Sequence, residues 1–92
     1  MHVLRIEHDV TDYDAWKKMF DSDPLGREAG GVTGHRVARV AGDPNRVLID
    51  LEFTDAGEAE AFAARLRELW TRVDVMRNPS ARVADVVETV AY

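Results

Sequence analysis

The chain has 92 residues, 46% of them hydrophobic and 32% charged, which is typical of one soluble globular domain. Its net charge of -5 disfavours nucleic acid and anionic membranes as partners, because both select basic surfaces. The sequence has no cysteine, which excludes disulfides and thiolate chemistry. Arg5, Glu7 and Asp9 interrupt the apolar N-terminal run, so it is neither a signal peptide nor a membrane span, and we expect a cytoplasmic protein.

The first predicted element is a strand over residues 2–10, because apolar residues alternate there. Its two faces carry His2, Leu4, Ile6, His8 and Val10 on one side and Val3, Arg5, Glu7 and Asp9 on the other. A helix capped by Thr11 follows and presents an aromatic stripe that includes Trp16. Pro24 then predicts a short helical turn through Ala29 that ends at Gly30-Gly31.

The second and third strands are predicted over residues 32–41 and 46–53, on either side of the reversal "GDPN". Val47, Ile49, Leu51 and Phe53 give the third strand one apolar face. The number of loop residues decides how the faces of the two strands match. An even count turns Arg36 toward the helices and His35 away from them, and an odd count reverses the two. The sequence leaves both registers open.

The last elements are a helix and a strand. "TDAGEAEAFAARLRELWTRV" is the strongest helix signal, with Asp55 and Glu58 at capping-box spacing. Asn78-Pro79 is predicted to break the chain before a final strand over residues 81–91. The order βαββαβ predicts one α+β domain over residues 1–92, a ferredoxin-like four-stranded antiparallel sheet with both helices on one face.

The other face of this sheet is half charged and half apolar, with both signs of charge. It is either a solvated surface or the interface of a homodimer in which two sheets pack together. In the second case any fully buried charge needs a partner, because an unpaired one costs several kcal/mol.

Three segments carry a resemblance to a known superfamily: "DYDAWKKMF" on the first helix, "GGVTGHRVARVAGDPNRVLIDLEF" as the hairpin and "EAEAFAARL" on the second helix. The chain resembles the dimeric α+β barrel superfamily, which includes antibiotic-biosynthesis-monooxygenase-like and small polyketide-cyclase-like proteins. The resemblance implies a homodimer whose sheets form a barrel, with a pocket between sheet and helices in each subunit. Its members include cofactor-free oxygenases of phenolic substrates, polyketide cyclases, isomerases and haem-degrading enzymes, so the fold alone does not choose an activity.

His8, His35 and Arg36 are the candidate catalytic residues. His8 lies on the apolar face of the first strand and is either a general base or a structural histidine that bonds a helix end. Arg36 either stabilises a developing oxyanion or forms an ion pair. As neighbours on a strand, His35 and Arg36 point to opposite faces unless Gly34 marks a bulge.

The candidate substrate-binding residues are aromatic: Tyr13, Trp16, Phe20, Phe53 and Trp70. Trp16 and Trp70 are predicted to form the walls of a slot for a flat aromatic ligand, although large aromatic residues also build ordinary cores. Arg27 is either a lid over the pocket mouth or a solvated side chain.

We therefore expect an enzyme of secondary metabolism, a cofactor-free monooxygenase or cyclase acting on a phenolic or polyketide-like molecule. We expect no metal, because the three histidines lack metal-binding spacing. We also expect no nucleotide cofactor, because no nucleotide-binding motif is present. The alternatives are a non-catalytic homodimeric module that binds a ligand or partner protein, and a haem-binding protein with His8 or His35 as axial ligand.

Overall fold

The computed structural model describes residues 1–73 and 76–92. Its elements are β1 (His2–Val10), α1 (Tyr13–Asp21), β2 (Val32–Val40), β3 (Asp43–Phe53), α2 (Ala56–Trp70) and β4 (Met76–Asp85). The strands form one antiparallel sheet in the order β2-β3-β1-β4, which confirms the predicted fold class. None of the helices in the described ranges has the length and apolarity that crossing a membrane requires.

The core lies between the helices and the predicted apolar face of β1 and β3. Leu4, Val47 and Phe53 are fully buried, and Trp16 of α1 and Phe62 of α2 are each 2% exposed. The alternation in the sequence thus identified the sheet face that the helices cover. The opposite face, called the open face below, carries Arg5, Glu7, Arg36, Asp50 and Arg82 along its shallow central depression.

The helix starts differ in part from the prediction. Asp12 caps α1, because its Oδ1 accepts a hydrogen bond from the Ala15 amide at 3.2 Å, so the choice of Thr11 was wrong by one residue. Asp55 caps α2 as predicted, and its Oδ1 accepts from the Gly57 amide at 2.7 Å.

The segment after α1 is a series of turns, so the helical turn predicted from Pro24 to Ala29 was wrong. The reason is the backbone on either side of Pro24. Asp23 has φ 55° and Gly26 has φ 67°, and left-handed residues at this spacing prevent a helical turn from propagating.

The final strand begins five residues earlier than predicted and ends at Asp85 instead of residue 91. Asn78-Pro79 does not break it. The pairing of β1 with β4 shifts between Glu7 and Asp9, so that Asn78 and Pro79 together lie opposite the single residue His8. This is a β-bulge, which an edge strand accommodates together with its proline. The bulge places an irregular stretch of sheet beside His8.

The β2–β3 hairpin settles the open register. The turn is Ala41-Gly42, because Val40 pairs with Asp43, yet Arg39 already pairs with Val47. Residues 44–46 of β3 therefore have no pairing partner on β2. Because side chains alternate along a strand, an odd number of residues without partners turns each side chain of β2 to the opposite face of the sheet. His35 is consequently opposite Leu51, on the helix side, and Arg36 is opposite Asp50, on the open face.

Candidate functional site

A cavity of about 60 Å³ lies between the sheet and the two helices. Four of the predicted residues line it: His8 on β1, Trp16 and Phe20 on α1, and Trp70 at the end of α2. The rest of the lining is almost entirely aliphatic or aromatic, apart from Asp23 and Arg27. The structure therefore brings one histidine and the two tryptophans to one apolar space.

His8 is 1% exposed, although it is a polar residue in an apolar core. Its ring packs edge-on against Trp16 with 5.4 Å between ring centroids. Burial lowers the pKa of His8 below 6.5, and the charge of Arg46 lowers it further, while the Asp9 carbonyl opposes the shift. His8 is therefore mainly neutral at pH 7.

Among residues 1–73 and 76–92, the His8 ring makes one hydrogen bond, and this bond identifies which ring nitrogen is the donor. Nδ1 lies 3.4 Å from the carbonyl oxygen of Asp9. Because a carbonyl only accepts, this contact uses Nδ1 as the donor and leaves a lone pair on Nε2. A neutral imidazole with an unbound Nε2 is the form that acts as a proton acceptor.

A charged cluster holds the backbone next to His8. Arg46 contacts Glu7 at 3.2 Å through Nε and Asp9 at 3.0 Å through Nη1. Asn78 of the bulge donates to the other oxygen of Asp9 at 3.0 Å. The hydrogen bonds from Asn78 and Arg46 lower the pKa of Asp9, so its carboxylate is ionised at neutral pH. The cluster ties the bulge to β1, although its exposure to water limits its contribution to stability.

The α1 side of the cavity is an aromatic stack with Arg27 at its rim. Trp16 and Phe20 have ring centroids 5.2 Å apart. The Arg27 guanidinium lies 4.0 Å from the centre of the Phe20 ring and donates through Nη1 to the Phe20 carbonyl at 2.8 Å. Its side chain is only 18% exposed and pairs with Asp23 at 3.6 Å. This position fits the lid hypothesis for Arg27 better than the solvated one.

The other predicted residues lie outside the cavity. His35 is exposed and meets the outer edge of Phe20, at 5.3 Å between ring centroids. Tyr13 packs on Trp16 at 5.8 Å, and Phe53 is fully buried against Phe62. These side chains support the walls of the cavity without lining it.

Arg36 requires a correction. It is exposed on the open face, whereas His8 points to the helix side. The hypothesis that Arg36 stabilises an oxyanion beside His8 within one subunit is therefore wrong. The three extra residues of the hairpin cause this outcome. Gly34 does lie at a register shift, between Val32 and Gly34, but His35 and Arg36 still point to opposite faces beyond it.

The size of the cavity also differs from the expected slot. A cavity of about 150 Å³ accommodates one benzene molecule, and the volume here is about 60 Å³. A polycyclic ligand therefore does not fit between Trp16 and Trp70 in this conformation. Trp70, Met76, Leu25 and Arg27 line the cavity and are only partly buried, so they are the side chains that a larger ligand must displace.

Several lining residues were not recognised as such from the sequence. Leu66 and Leu69 belong to the α2 stripe, whose spacing marked a buried face without distinguishing core from cavity. Pro24 and Leu25 lie in the turns after α1, where no periodic pattern exists. Only the arrangement of these turns beneath α2 could have revealed them.

The βαββαβ order and the open four-stranded sheet with both helices on one face define a ferredoxin-like fold. The solved structures that are similar to this chain include the following three. A dimeric ferredoxin-like protein from an uncultured marine organism has a TM-score of 0.67 at 18% identity, with 97% of each chain covered. A second such protein, also from an uncultured marine organism, has a TM-score of 0.57 at 16% identity over both complete chains.

The third structure is a mutant of MhuD with two manganese protoporphyrin IX molecules bound per active site. Its TM-score is 0.69 at 19% identity, with all of both chains covered. These likenesses confirm the ferredoxin-like fold that the resemblance implies. No protein-family model and no curated protein matches the sequence.

Proposed function

We propose that this chain binds a small phenolic or enolisable molecule in the cavity between sheet and helices, and that His8 accepts a proton from it. The observation that carries the proposal is a buried neutral imidazole at the wall of a largely apolar cavity, whose Nε2 has no hydrogen bond in the described part of the chain. The resulting anion would then react with oxygen or close a ring. The chain would thus serve secondary metabolism as a cofactor-free monooxygenase or a cyclase.

The apolar surroundings set the conditions for proton transfer. A pKa below 6.5 keeps His8 ready to accept a proton at neutral pH, but it also makes the imidazole a weaker base. Transfer creates an imidazolium and a phenolate in contact, and their strong attraction in the cavity must offset the cost of removing both ions from water. An acidic phenol in contact with Nε2 is therefore the ligand for which His8 is suited.

The cavity volume selects the first ligands to test. A single ring already requires movement at the rim, and larger ring systems require more. We therefore expect single-ring phenols to bind more readily than naphthols or anthrones.

Titration with 4-nitrophenol, whose absorption differs between phenol and phenolate, tests the proposal. At pH 6 we expect the bound ligand to shift toward the phenolate spectrum. The shift should disappear in His8→Gln, which keeps a polar side chain but removes the base. The matched control His35→Gln, outside the cavity, should behave like the wild type. Binding without a His8-dependent shift would favour the alternative of a non-catalytic binding module, and no binding would overturn the site itself.

The open face supports the proposal of a homodimer. Arg36, Asp50, Arg5 and Arg82 lie side by side across the sheet in pairing register. On this row the described residues show one ion pair, between Arg5 and Asp50 at 3.5 Å. A neighbouring row carries Glu52, for which the described residues show no ion pair, so a second copy placed by a two-fold axis can present this carboxylate to the surplus arginines.

Sedimentation velocity tests this assembly. At micromolar concentration we expect a species of twice the chain mass of 10.3 kDa. Arg36→Glu should weaken the dimer, because it removes a positive charge from the row and adds a negative one. Lys18→Glu makes the same charge change on α1, away from the open face, and should leave the dimer intact. A wild-type monomer would contradict the proposal.

Porphyrin binding is a second candidate, suggested by the likeness to the MhuD structure. His8 is the histidine that lines the cavity, but the volume is far below the roughly 300 to 1,000 Å³ of ligand pockets in general. Hemin should therefore give no Soret shift that depends on His8. A shift that is lost in His8→Gln would replace the phenol proposal with this one. Cofactor independence and a cytoplasmic location stay predictions.

A further inference from the structure

Trp70 carries a buried hydrogen-bond donor without an acceptor. Its Nε1 atom is inaccessible to water and has no hydrogen-bond partner among residues 1–73 and 76–92. Most buried side-chain polar atoms in proteins are paired, and an indole nitrogen can only donate. The Trp70 N–H is therefore a buried donor for which the described residues provide no acceptor.

The surroundings of Trp70 indicate where this acceptor belongs. Trp70 lines the cavity, together with apolar residues and three polar ones: His8, Asp23 and Arg27. Asp23 accepts from the Arg27 backbone amide at 2.8 Å and pairs with the Arg27 guanidinium, so both groups have partners. The Nδ1 atom of His8 contacts the Asp9 carbonyl. Two residues that line the cavity thus carry ring nitrogens with no hydrogen bond among the described residues, the donor Nε1 of Trp70 on α2 and the acceptor Nε2 of His8 on β1.

We propose that Trp70 Nε1 donates a hydrogen bond to a carbonyl oxygen of the bound molecule and thereby selects oxygenated rings over hydrocarbons. This inference rests on the proposed function, since it names the group that the same cavity recognises. The ligand would then carry two oxygen groups on its ring. A carbonyl oxygen would accept from Trp70, and an acidic hydroxyl would face His8, as in a hydroxyaryl ketone. The bond would also stabilise negative charge that proton removal sends onto the carbonyl oxygen.

Two ligands of nearly the same shape isolate this contact. Acetophenone carries a carbonyl where α-methylstyrene carries a methylene group, and neither has an acidic hydroxyl for His8. Calorimetric titration of the wild-type chain should give a preference of about 2- to 12-fold for acetophenone, as expected for one neutral hydrogen bond. Trp70→Phe keeps an aromatic ring but removes the donor, and it should abolish the preference. Met76→Leu, also in the lining, should change both affinities together and retain it.

The outcomes separate this inference from the proposed function. If both molecules bind and their ratio is the same in wild type and Trp70→Phe, the donor role of Trp70 is refuted while the cavity stands as a binding site. If neither molecule nor 4-nitrophenol binds, the site itself is refuted and the donor role with it. Loss of the preference in Trp70→Phe alone supports the assignment.

Discussion

Filling the cavity should stabilise the fold and remove the binding site. Leu66 lines the cavity from α2 and is only partly buried, so Leu66→Phe can place ring atoms in the empty space while the rest adjusts toward solvent. At about 24 cal/mol per Å³, complete filling of the 60 Å³ would raise the free energy of unfolding by about 1.4 kcal/mol. In a domain of this size that limit corresponds to a rise in Tm of about 5 to 10 °C.

Thermal and urea unfolding measure the gain, and titration with 4-nitrophenol measures the loss of binding. We expect a Tm increase within the stated limit and at least a tenfold weaker affinity. Leu48→Phe makes the same substitution on the open face and should leave the affinity unchanged. An unchanged affinity in Leu66→Phe would refute the assignment of the cavity as the site. A large loss of stability would show that the cavity has no room for the ring.

Three further predictions concern stability. Burial lowers the pKa of His8, so at acidic pH its imidazole binds a proton more readily in the unfolded chain than in the folded one, and the free energy of unfolding should fall between pH 7 and pH 5. Urea titrations of His8→Gln should show a smaller fall than the wild type. An equal fall in the two proteins would contradict a buried neutral imidazole. Gly30→Ala should cost about 1 to 3 kcal/mol, since its Cβ would lie 2.9 Å from a ring carbon of the buried Phe62; a neutral effect in thermal melts would mean that the ring moves freely. Asp12→Ala should cost about 1 kcal/mol in the same assay and Thr11→Ala much less, whereas the reverse order would return the cap of α1 to Thr11.

Local patterns predicted the fold because the spacing of apolar residues differs between strands and helices. Alternation in β1 and β3 and the stripe on α2 define which side of each element is apolar, and the order of elements then leaves few topologies. The pairing of Leu4 with Leu51 and of Ile6 with Ile49 on the buried side follows directly from these patterns.

The residues that line the cavity were predicted only where they lie on elements with a regular pattern. His8, Trp16 and Trp70 were predicted to line the cavity because each lies on a strand or helix whose inward face follows from the spacing of its apolar residues. The face of Arg36 stayed open at the level of sequence because it depends on how three residues of the hairpin are accommodated, and several backbone paths suit that sequence. Pro24 and Leu25 line the cavity from the turns after α1, and no periodic pattern in the sequence indicated this.

The stretch at residues 44–46, which has no pairing partner on β2, has a consequence for how such a domain can diversify. Deleting one residue there would restore an even count and rotate β2 by half a turn, bringing Arg36 beneath α1 and sending His35 outward. If the deleted residue is Pro44 or Asn45, the inner strands β1 and β3 would keep every pairing between them, including that of Asp9 with Arg46. One codon lost from a surface loop could thus exchange the chemical groups next to the ligand in a single evolutionary step, and a protein engineer could do the same on purpose.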